Sequence, residues 1–347
     1  MTTTAAEQAA LRRAVELARA VPGRLLPNPR VGCVLLAPGG DTVAEGVHRG
    51  PGTPHAEADA LMRAGERARG ATAVVTLEPC HHTGRTGPCT RALADAGITR
   101  VVYAVEDPNP VAAGGAAALR AAGIETVLVE AAEAAEALAL NERWLAAVRR
   151  QRPYLTWKLA TTLDGRSAAA DGTSRWISSA EARADVHRLR AEADAILAGT
   201  GTVLADDPAL TARAAGVVVQ PLRVVLGERD LPPSAHVLDA EAETVHLRTR
   251  DLHVALKELW QREIRHVLLE GGPTLAAAFL RAGLVDEVIA YVAPTLLGAG
   301  SSAVGDLGIA TIADAHRLTL TDVTVLGGTV RLTATPAPPA APDKGEN

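Results

Sequence analysis

A chain of 347 residues with 48% hydrophobic residues can fill more than one core, but with only 4 Trp, 3 Tyr and 1 Phe the packing falls to Ala, Val and Leu. The formal net charge is −5, and residues 1–150 carry 16 Arg and no Lys against 16 acidic residues, so no basic footprint for a polynucleotide appears. No segment approaches the roughly 18 consecutive apolar residues of a membrane span. The three cysteines, two of them in a metal-like pattern, fit a reducing cytoplasm.

The N-terminus lacks a basic start followed by an apolar run. Instead Thr4-x-x-Glu7 reads as a helix capping box leading into Leu11, Ala14, Val15 and Ala18 on one face. Strands are predicted at Val31–Ala37, Thr72–Leu77, Arg100–Val105 and Glu125–Val129, with helices at Pro54–Arg69, Cys89–Gly97 and Ala112–Gly123 between them. This alternation implies a sheet with helices on its faces. An Ala/Glu-rich helix from Ala131 to Val148 then meets Arg149-Arg-Gln-Arg152 and Pro153, a junction that divides domains 1–150 and 151–334. The second half offers strands at Tyr154–Leu163, Ala193–Leu197, Pro221–Leu226, Thr244–Leu247 and His266–Glu270, then a Gly271-Gly272-Pro273 turn and a helix from Thr274 to Arg281. Val323–Leu326 and Val330–Thr333 flank Gly327-Gly328, a hairpin signal. The Pro/Ala-rich segment 335–347 reads as a disordered tail.

The chemistry concentrates in His55-Ala56-Glu57, Pro79-Cys80 and Cys89. Three ligand side chains, His55, Cys80 and Cys89, leave a zinc ion one open position for water, whose pKa the metal lowers. Glu57 is then a proton carrier rather than a ligand. Thr53 is expected to cap the helix that presents His55, with Pro54 in its first turn. The eight residues between Cys80 and Cys89 exceed the usual short ligand spacing, and His81 or His82 would close the site if it were purely structural. Cys33, in an apolar run, is a core thiol.

The run Thr76-Leu-Glu-Pro-Cys-His-His-Thr-Gly-Arg-Thr-Gly-Pro-Cys89 resembles the zinc motif of the riboflavin-biosynthesis deaminases. Pro27-Asn28-Pro29-Arg30-Val31-Gly32, His55-Ala-Glu-Ala-Asp-Ala-Leu61 and Asp107-Pro-Asn-Pro110 are similar to the same family. The resemblance implies zinc on His55, Cys80 and Cys89, catalysis by Glu57 and a substrate contact at Asn28. Val111-Ala-Ala-Gly-Gly115 departs from the family's Val-Ala-Gly-(Arg/Lys)-Gly; if that cation helps hold the substrate phosphate, another group such as Arg49 or Arg85 must substitute.

In the second half, Trp157-Lys-Leu-Ala-Thr-Thr-Leu-Asp-Gly-Arg166, Ser174-Arg-Trp-Ile-Ser178, Gly199–Arg213 and Leu269-Glu-Gly-Gly-Pro-Thr-Leu275 resemble the reductase domain fused to that deaminase. Neither glycine turn matches the dinucleotide fingerprint Gly-x-Gly-x-x-Gly. The implied architecture is α/β, a cytidine-deaminase-like α/β/α domain followed by a dihydrofolate-reductase-like α/β domain. The implied NADPH contacts are Ala160, Trp176, Thr202, Asp206 and the turn and helix Gly272, Pro273, Thr274, Leu275, Ala276, Ala277 and Ala278. The implied substrate contacts are Ser174, Arg190, Leu210, Arg213 and Glu270, the two arginines suiting a ribose phosphate.

The family's reactions are zinc-dependent deamination of 2,5-diamino-6-(5-phosphoribosylamino)pyrimidin-4(3H)-one and NADPH-dependent reduction of its ribosyl group to ribityl. The expected partners are therefore a pyrimidine ribosyl phosphate, Zn2+ and NADPH, with no nucleic acid and no membrane; a homo-oligomer is implied by the resemblance alone. Two alternatives stay open at this point. One is a zinc deaminase of another nucleotide or RNA with a non-catalytic C-terminal domain. The other is a zinc-stabilised binding protein.

Overall fold

The computed structural model describes residues 2–83, 87–217 and 219–337. The chain divides into two compact units, Met1–Gln151 and Arg152–Asn347. No helix among the described residues is long and apolar enough to cross a membrane.

The first unit runs α1 (Ala5–Ala20), β1 (Gly32–Leu36), β2 (Thr42–Val47), α2 (Ala56–Ala64), β3 (Thr72–Val75), α3 (Cys89–Asp95), β4 (Arg100–Tyr103), α4 (Gly115–Ala121), β5 (Glu125–Leu128) and α5 (Ala131–Arg150). The capping box forms: Glu7 N–H donates to Thr4 Oγ1 at 3.2 Å, and Thr4 N–H donates to the Glu7 carboxylate at 2.8 Å. The five strands lie in the order β2-β1-β3-β4-β5; β1 is antiparallel to both neighbours, and β3, β4 and β5 are parallel. Side chains alternate across a strand, so Val34 and Leu36 of β1 join Leu11, Val15 and Leu145 on one face. Cys33 and Leu35 join Ala60, Leu93 and Leu119 on the other. Helices therefore cover both faces, α1 and α5 on one and α2, α3 and α4 on the other.

Two expected helices are shorter than their apolar pattern. Thr53 does not cap α2. Its hydroxyl donates to Gly50 O at 2.7 Å, closing the preceding turn, and His55 itself takes the cap position. At the other end, Gly65–Ala68 tightens into a 3-10 turn. Ala112 and Ala113 stand outside α4 because their N–H groups donate to Asn109 O at 2.9 and 2.8 Å.

The second unit runs β6 (Tyr154–Thr162), α6 (Ala180–Glu192), β7 (Ala195–Gly199), α7 (Thr200–Asp206), β8 (Leu222–Leu226), β9 (Thr244–Leu247), α8 (Leu252–Gln261), β10 (His266–Leu269), α9 (Pro273–Arg281), β11 (Glu287–Ala293), β12 (Leu318–Leu326) and β13 (Thr329–Pro336). Its eight-stranded sheet has the order β12-β13-β11-β6-β10-β7-β8-β9. From β11 to β9 every pairing is parallel, so the six carboxyl ends of β11, β6, β10, β7, β8 and β9 open on one edge. Ala182, Val186 and Leu189 of α6 pack on Leu268, Ile289 and Tyr291. β12 and β13 meet at Gly327-Gly328, with Leu326 opposite Thr329. β13 continues through Thr335 and Pro336, which composition assigns to the tail, because they pair with Thr319 and Leu318; residues 338–347 lie outside the described residues.

Candidate active sites

Two strand-to-helix connections converge at the carboxyl edge of the first sheet. His55 caps α2, Cys80 lies beyond β3, and Cys89 opens α3. His55 Nδ1 lies 3.6 Å from Cys80 Sγ and 3.3 Å from Cys89 Sγ, and the ligand atoms of the three all fall within 4.8 Å of one another. Zinc bonds of about 2.0–2.1 Å to nitrogen and 2.3 Å to sulfur set tetrahedral edges near 3.6 Å, so this nitrogen–sulfur set fits that metal. Among the described residues neither His81 nor His82 joins the group. His81 Nδ1 instead lies 3.0 Å from Thr90 Oγ1.

The two cysteines act on each other in opposite directions, Cys80 drawn down and Cys89 pushed up by their mutual hydrogen bond. Hydrogen bonding to Cys89 is the largest influence on Cys80, whose thiol is pulled down to about 4 despite its burial. The Cys89 N–H also donates to Cys80 Sγ at 3.4 Å. Glu57, 3% exposed, is two residues into α2 and outside the ligand set. Burial first, and the Cys80 charge second, push its carboxyl above the ordinary range.

The polar residues behind the cluster are ones that sequence patterns alone do not single out. Glu78, buried, accepts from Ala116 N–H at 2.8 Å with one oxygen and from Asp107 N–H at 3.2 Å with the other. It thereby fastens the Cys80 loop to α4 and to the Asp107 turn. Gly115 seats the same loop, since a Cβ there would lie 1.7 Å from Pro79 O. That contact gives the Gly114-Gly115 pair a packing reason, whether or not a cation precedes it. His48 packs edge-on to His55 at 5.2 Å, donates from Nδ1 to Pro54 O at 3.0 Å, and so offers Nε2 to the Asn28 amide at 2.8 Å. Asn28 is thus beside the cluster, on a loop tied to α5 by a reciprocal Arg30–Asn141 pair of 2.8 Å bonds. Arg49 is bound to Asp59 at 3.0 Å, and Arg85 lies outside the described residues. A cavity of about 430 Å³ beside His55 and Cys89 also presents Met62 and Arg91.

The second unit holds a cavity of about 1490 Å³ along its strand ends. Drug-sized pockets are typically ~300–1,000 Å³, so this cavity exceeds what one such ligand fills. Its lining includes Ala160, Ser174, Trp176, Arg190, Thr202, Asp206, Arg213, Glu270, the Gly272–Leu275 turn and Ala278. Leu210, Ala276 and Ala277 do not line it. Leu210 is buried against Ile196 and Ala198, and the two alanines sit on the core side of α9. Gly272 N–H donates to Thr202 Oγ1 at 3.1 Å, locking the two glycine turns together. Trp176 is 69% exposed, with the Arg183 guanidinium 4.5 Å above its ring, so it is no core residue. Asp207 turns away to His236 at 2.7 Å.

Glu270 anchors the charged end. Arg190 grips it in bidentate fashion at 2.5 and 2.9 Å, and Lys158 Nζ lies 3.7 Å away. Burial raises the Glu270 carboxyl, but the Arg190 and Lys158 charges outweigh it and hold it at about 2. Burial draws the Lys158 ammonium below its usual value, against the pull of Glu270. With Arg190 Nη1 donating to Thr211 O at 3.0 Å, the fork of that arginine is directed at the protein.

A His/Cys/Cys cluster able to hold a zinc ion beside a buried glutamate, in a chain whose second unit opens a large cavity at its parallel strand ends, is the arrangement expected of a zinc deaminase joined to a reductase. Comparison with known proteins agrees. Residues 4–105 match the cytidine and deoxycytidylate deaminase zinc-binding region, and residues 153–332 match the RibD C-terminal domain. The riboflavin biosynthesis protein RibD of Mycobacterium tuberculosis is 52% identical over 317 residues, covering 90% of this chain and 93% of that protein. Its Escherichia coli counterpart is 41% identical, covering 92% and 96%. Among solved structures, Acinetobacter baumannii RibD superposes with a TM-score of 0.88 at 40% identity, covering 96% and 99%. The Thermotoga maritima diaminohydroxyphosphoribosylaminopyrimidine deaminase/5-amino-6-(5-phosphoribosylamino)uracil reductase gives 0.85 at 32% identity, with the same coverage. The chain belongs to the RibD family of bifunctional riboflavin-biosynthesis enzymes. Its fold is accordingly a cytidine-deaminase-like unit followed by a dihydrofolate-reductase-like one.

Proposed function

We propose that the chain catalyses both family reactions: loss of the 2-amino group of 2,5-diamino-6-(5-phosphoribosylamino)pyrimidin-4(3H)-one, then reduction of the ribosyl group to ribityl. The observation that carries the reading is the convergence of His55, Cys80 and Cys89 beside buried Glu57. His55, Cys80 and Cys89 would hold the zinc, which when bound would make water a nucleophile at neutral pH. Glu57 takes up a proton in this dry setting and passes it to the pyrimidine ring and the departing amine. His48, with its tautomer fixed by Pro54 O, steadies His55 and Asn28. The neutral charge balance of residues 1–150 supports a small-molecule substrate over a polynucleotide, and three unpaired thiols suit a cytoplasmic setting.

In the second unit the cavity would hold NADPH, which when bound would supply the hydride for reduction at C1′ of the ring-opened ribosylamine. The first turn of α9 and the Gly199–Thr202 turn, which Gly272 N–H ties together through Thr202 Oγ1, would receive its phosphates at their helix N-termini. Trp176, an exposed residue of the cavity lining, would cover the nicotinamide. Arg213 and Ser174 take the substrate's phosphate, while Arg190 positions Glu270. The test is a Glu57→Gln protein. Deamination is expected to fall by at least about 10³-fold, in line with removal of a proton-transfer group, with zinc content and reductase activity retained. Loss of zinc together with activity would mean that Glu57 is misassigned.

A further inference from the structure

Helix α6 lays a basic stripe along the C-terminal cavity. Residues three and four apart share a helix face, and Arg183, His187 and Arg190 at that spacing all line the cavity, while Ala182, Val186 and Leu189 pack on the sheet. Two of the three are engaged with the protein. Arg190 grips Glu270 and donates to Thr211 O at 3.0 Å. Arg183 donates to Ser178 O at 2.6 Å and stands over the Trp176 ring. The half-buried His187 instead turns both ring nitrogens to Arg213, an exposed residue of the same cavity.

The geometry of that pair calls for an anion. The Arg213 main-chain N–H donates to His187 Nδ1 at 3.2 Å, which fixes the hydrogen of a neutral ring on Nε2. Nε2 then lies 3.2 Å from Arg213 Nη2, an N–H set against an N–H. The other neutral tautomer only moves the conflict to Nδ1. Burial first, then the Arg190 and Arg213 charges, draw the ring below its ordinary pKa, against the pulls of Glu270 and the Thr211 main chain, so it is neutral at pH 7. Arg213 Nη1 donates to Thr211 Oγ1 at 3.2 Å, which anchors the guanidinium beside the ring. Two anchored donors that face one another suit an anionic oxygen accepting from both.

We propose that His187, as a neutral donor through Nε2–H, shares one phosphate oxygen of the substrate with Arg213 and so makes this end of the cavity selective for a phosphorylated sugar. The conflict between the two N–H groups is relieved when that oxygen arrives. A dephosphorylated compound leaves it unrelieved, so the pair discriminates as well as binds. Sequence motifs mark Arg190 and Arg213 but not His187, whose part depends on a main-chain N–H that only the folded loop supplies. The inference rests on the reading of this cavity as the reductase site.

The experiment is calorimetric titration of the intact protein with ribose 5-phosphate and with ribose at pH 7.5, in two buffers of different ionisation enthalpy. It compares wild type, His187→Ala and His187→Gln, with NADPH affinity measured in parallel as a check on the cavity. Loss of one hydrogen bond to a charged group corresponds to about 10-fold in affinity. His187→Ala is expected to lose that much for ribose 5-phosphate, with NADPH unchanged, and His187→Gln, which keeps an N–H donor, to recover most of it. In turnover the KM of reduction should rise by the same factor with kcat held, because the contact is remote from the reacting carbon. The wild-type heat should be the same in both buffers, since a neutral donor takes up no proton. Unchanged ribose 5-phosphate affinity in His187→Ala overturns the proposal. An equal loss for ribose 5-phosphate and NADPH also overturns it, since it reports damage to α6. Proton uptake in wild type that disappears in His187→Ala overturns the neutral donor. A wild type that binds NADPH but not ribose 5-phosphate overturns the phosphate contact, and one that binds neither contradicts the reading of the cavity itself.

Discussion

Glu270 shows how one buried side chain links stability to chemistry. Its carboxyl is held at about 2, against 4.5 when unperturbed, by Arg190 and Lys158 working against burial. A folded value below the unfolded one adds stability that is complete above pH ~4.5 and disappears as the pH falls toward ~2. Glu270→Gln should therefore cost about 2–3 kcal/mol at pH 7 and progressively less below pH ~4.5. Urea denaturation of both proteins at pH 7 and pH 3.5 measures the difference; a penalty independent of pH would contradict it. Reductase activity should fall with it, and ammonia release from the zinc site should not. Residues of this kind were legible in the sequence because zinc and phosphate chemistry restrict which side chains serve. Glu78, His48 and Asn141 were not, because their work is to satisfy backbone groups and a ring tautomer, and such pairings become visible only in three dimensions.

At the scale of elements, two positions test how loops are held. Gly115→Ala would drive a Cβ to within 1.7 Å of Pro79 O and displace the Cys80 loop. Zinc content and deamination are expected to fall together, while reduction persists. A fully zinc-loaded Gly115→Ala protein would show that the loop is not seated there. Arg223 on β8 is fully buried, bonded to Asp239 at 2.8 Å and to Thr244 Oγ1 at 2.9 Å, and it also donates to the carbonyls of Ala209, His236 and Ala242. Its replacement by Met leaves those oxygens without donors, so a loss of about 3 kcal/mol is expected in chemical denaturation. A loss under 1 kcal/mol would show that water replaces the guanidinium. Elements with strong apolar runs were readable, among them β1, β6 and β10. Those carried mainly by tertiary context were not. The edge strand β2 is half-buried and contains Gly46; α6 buries only Ala182, Val186 and Leu189 among many charges. β11 was missed as well, although its alternating burial is a strand pattern. The expected starts of α2 and α4 failed where Thr53 and Asn109 redirect backbone hydrogen bonds into turns.

In the whole molecule, two sheets with separate cores carry two chemistries. Calorimetry should separate them. Saturation with NADPH at ~100 times its Kd stabilises the unit that binds it by about 2.7 kcal/mol, and zinc chelation should lower the transition of the other. Movement of one transition by both treatments would contradict this division. The central claim is that one chain performs deamination and then reduction, and the most direct measurement is the product mass from zinc-replete protein and the diaminopyrimidine ribosyl phosphate. Without NADPH the account predicts exchange of one amino group for oxygen and nothing more; with NADPH the product gains two further hydrogens. Reduction of the diamino substrate before any exchange would reverse the order, and an unchanged substrate would contradict the account outright.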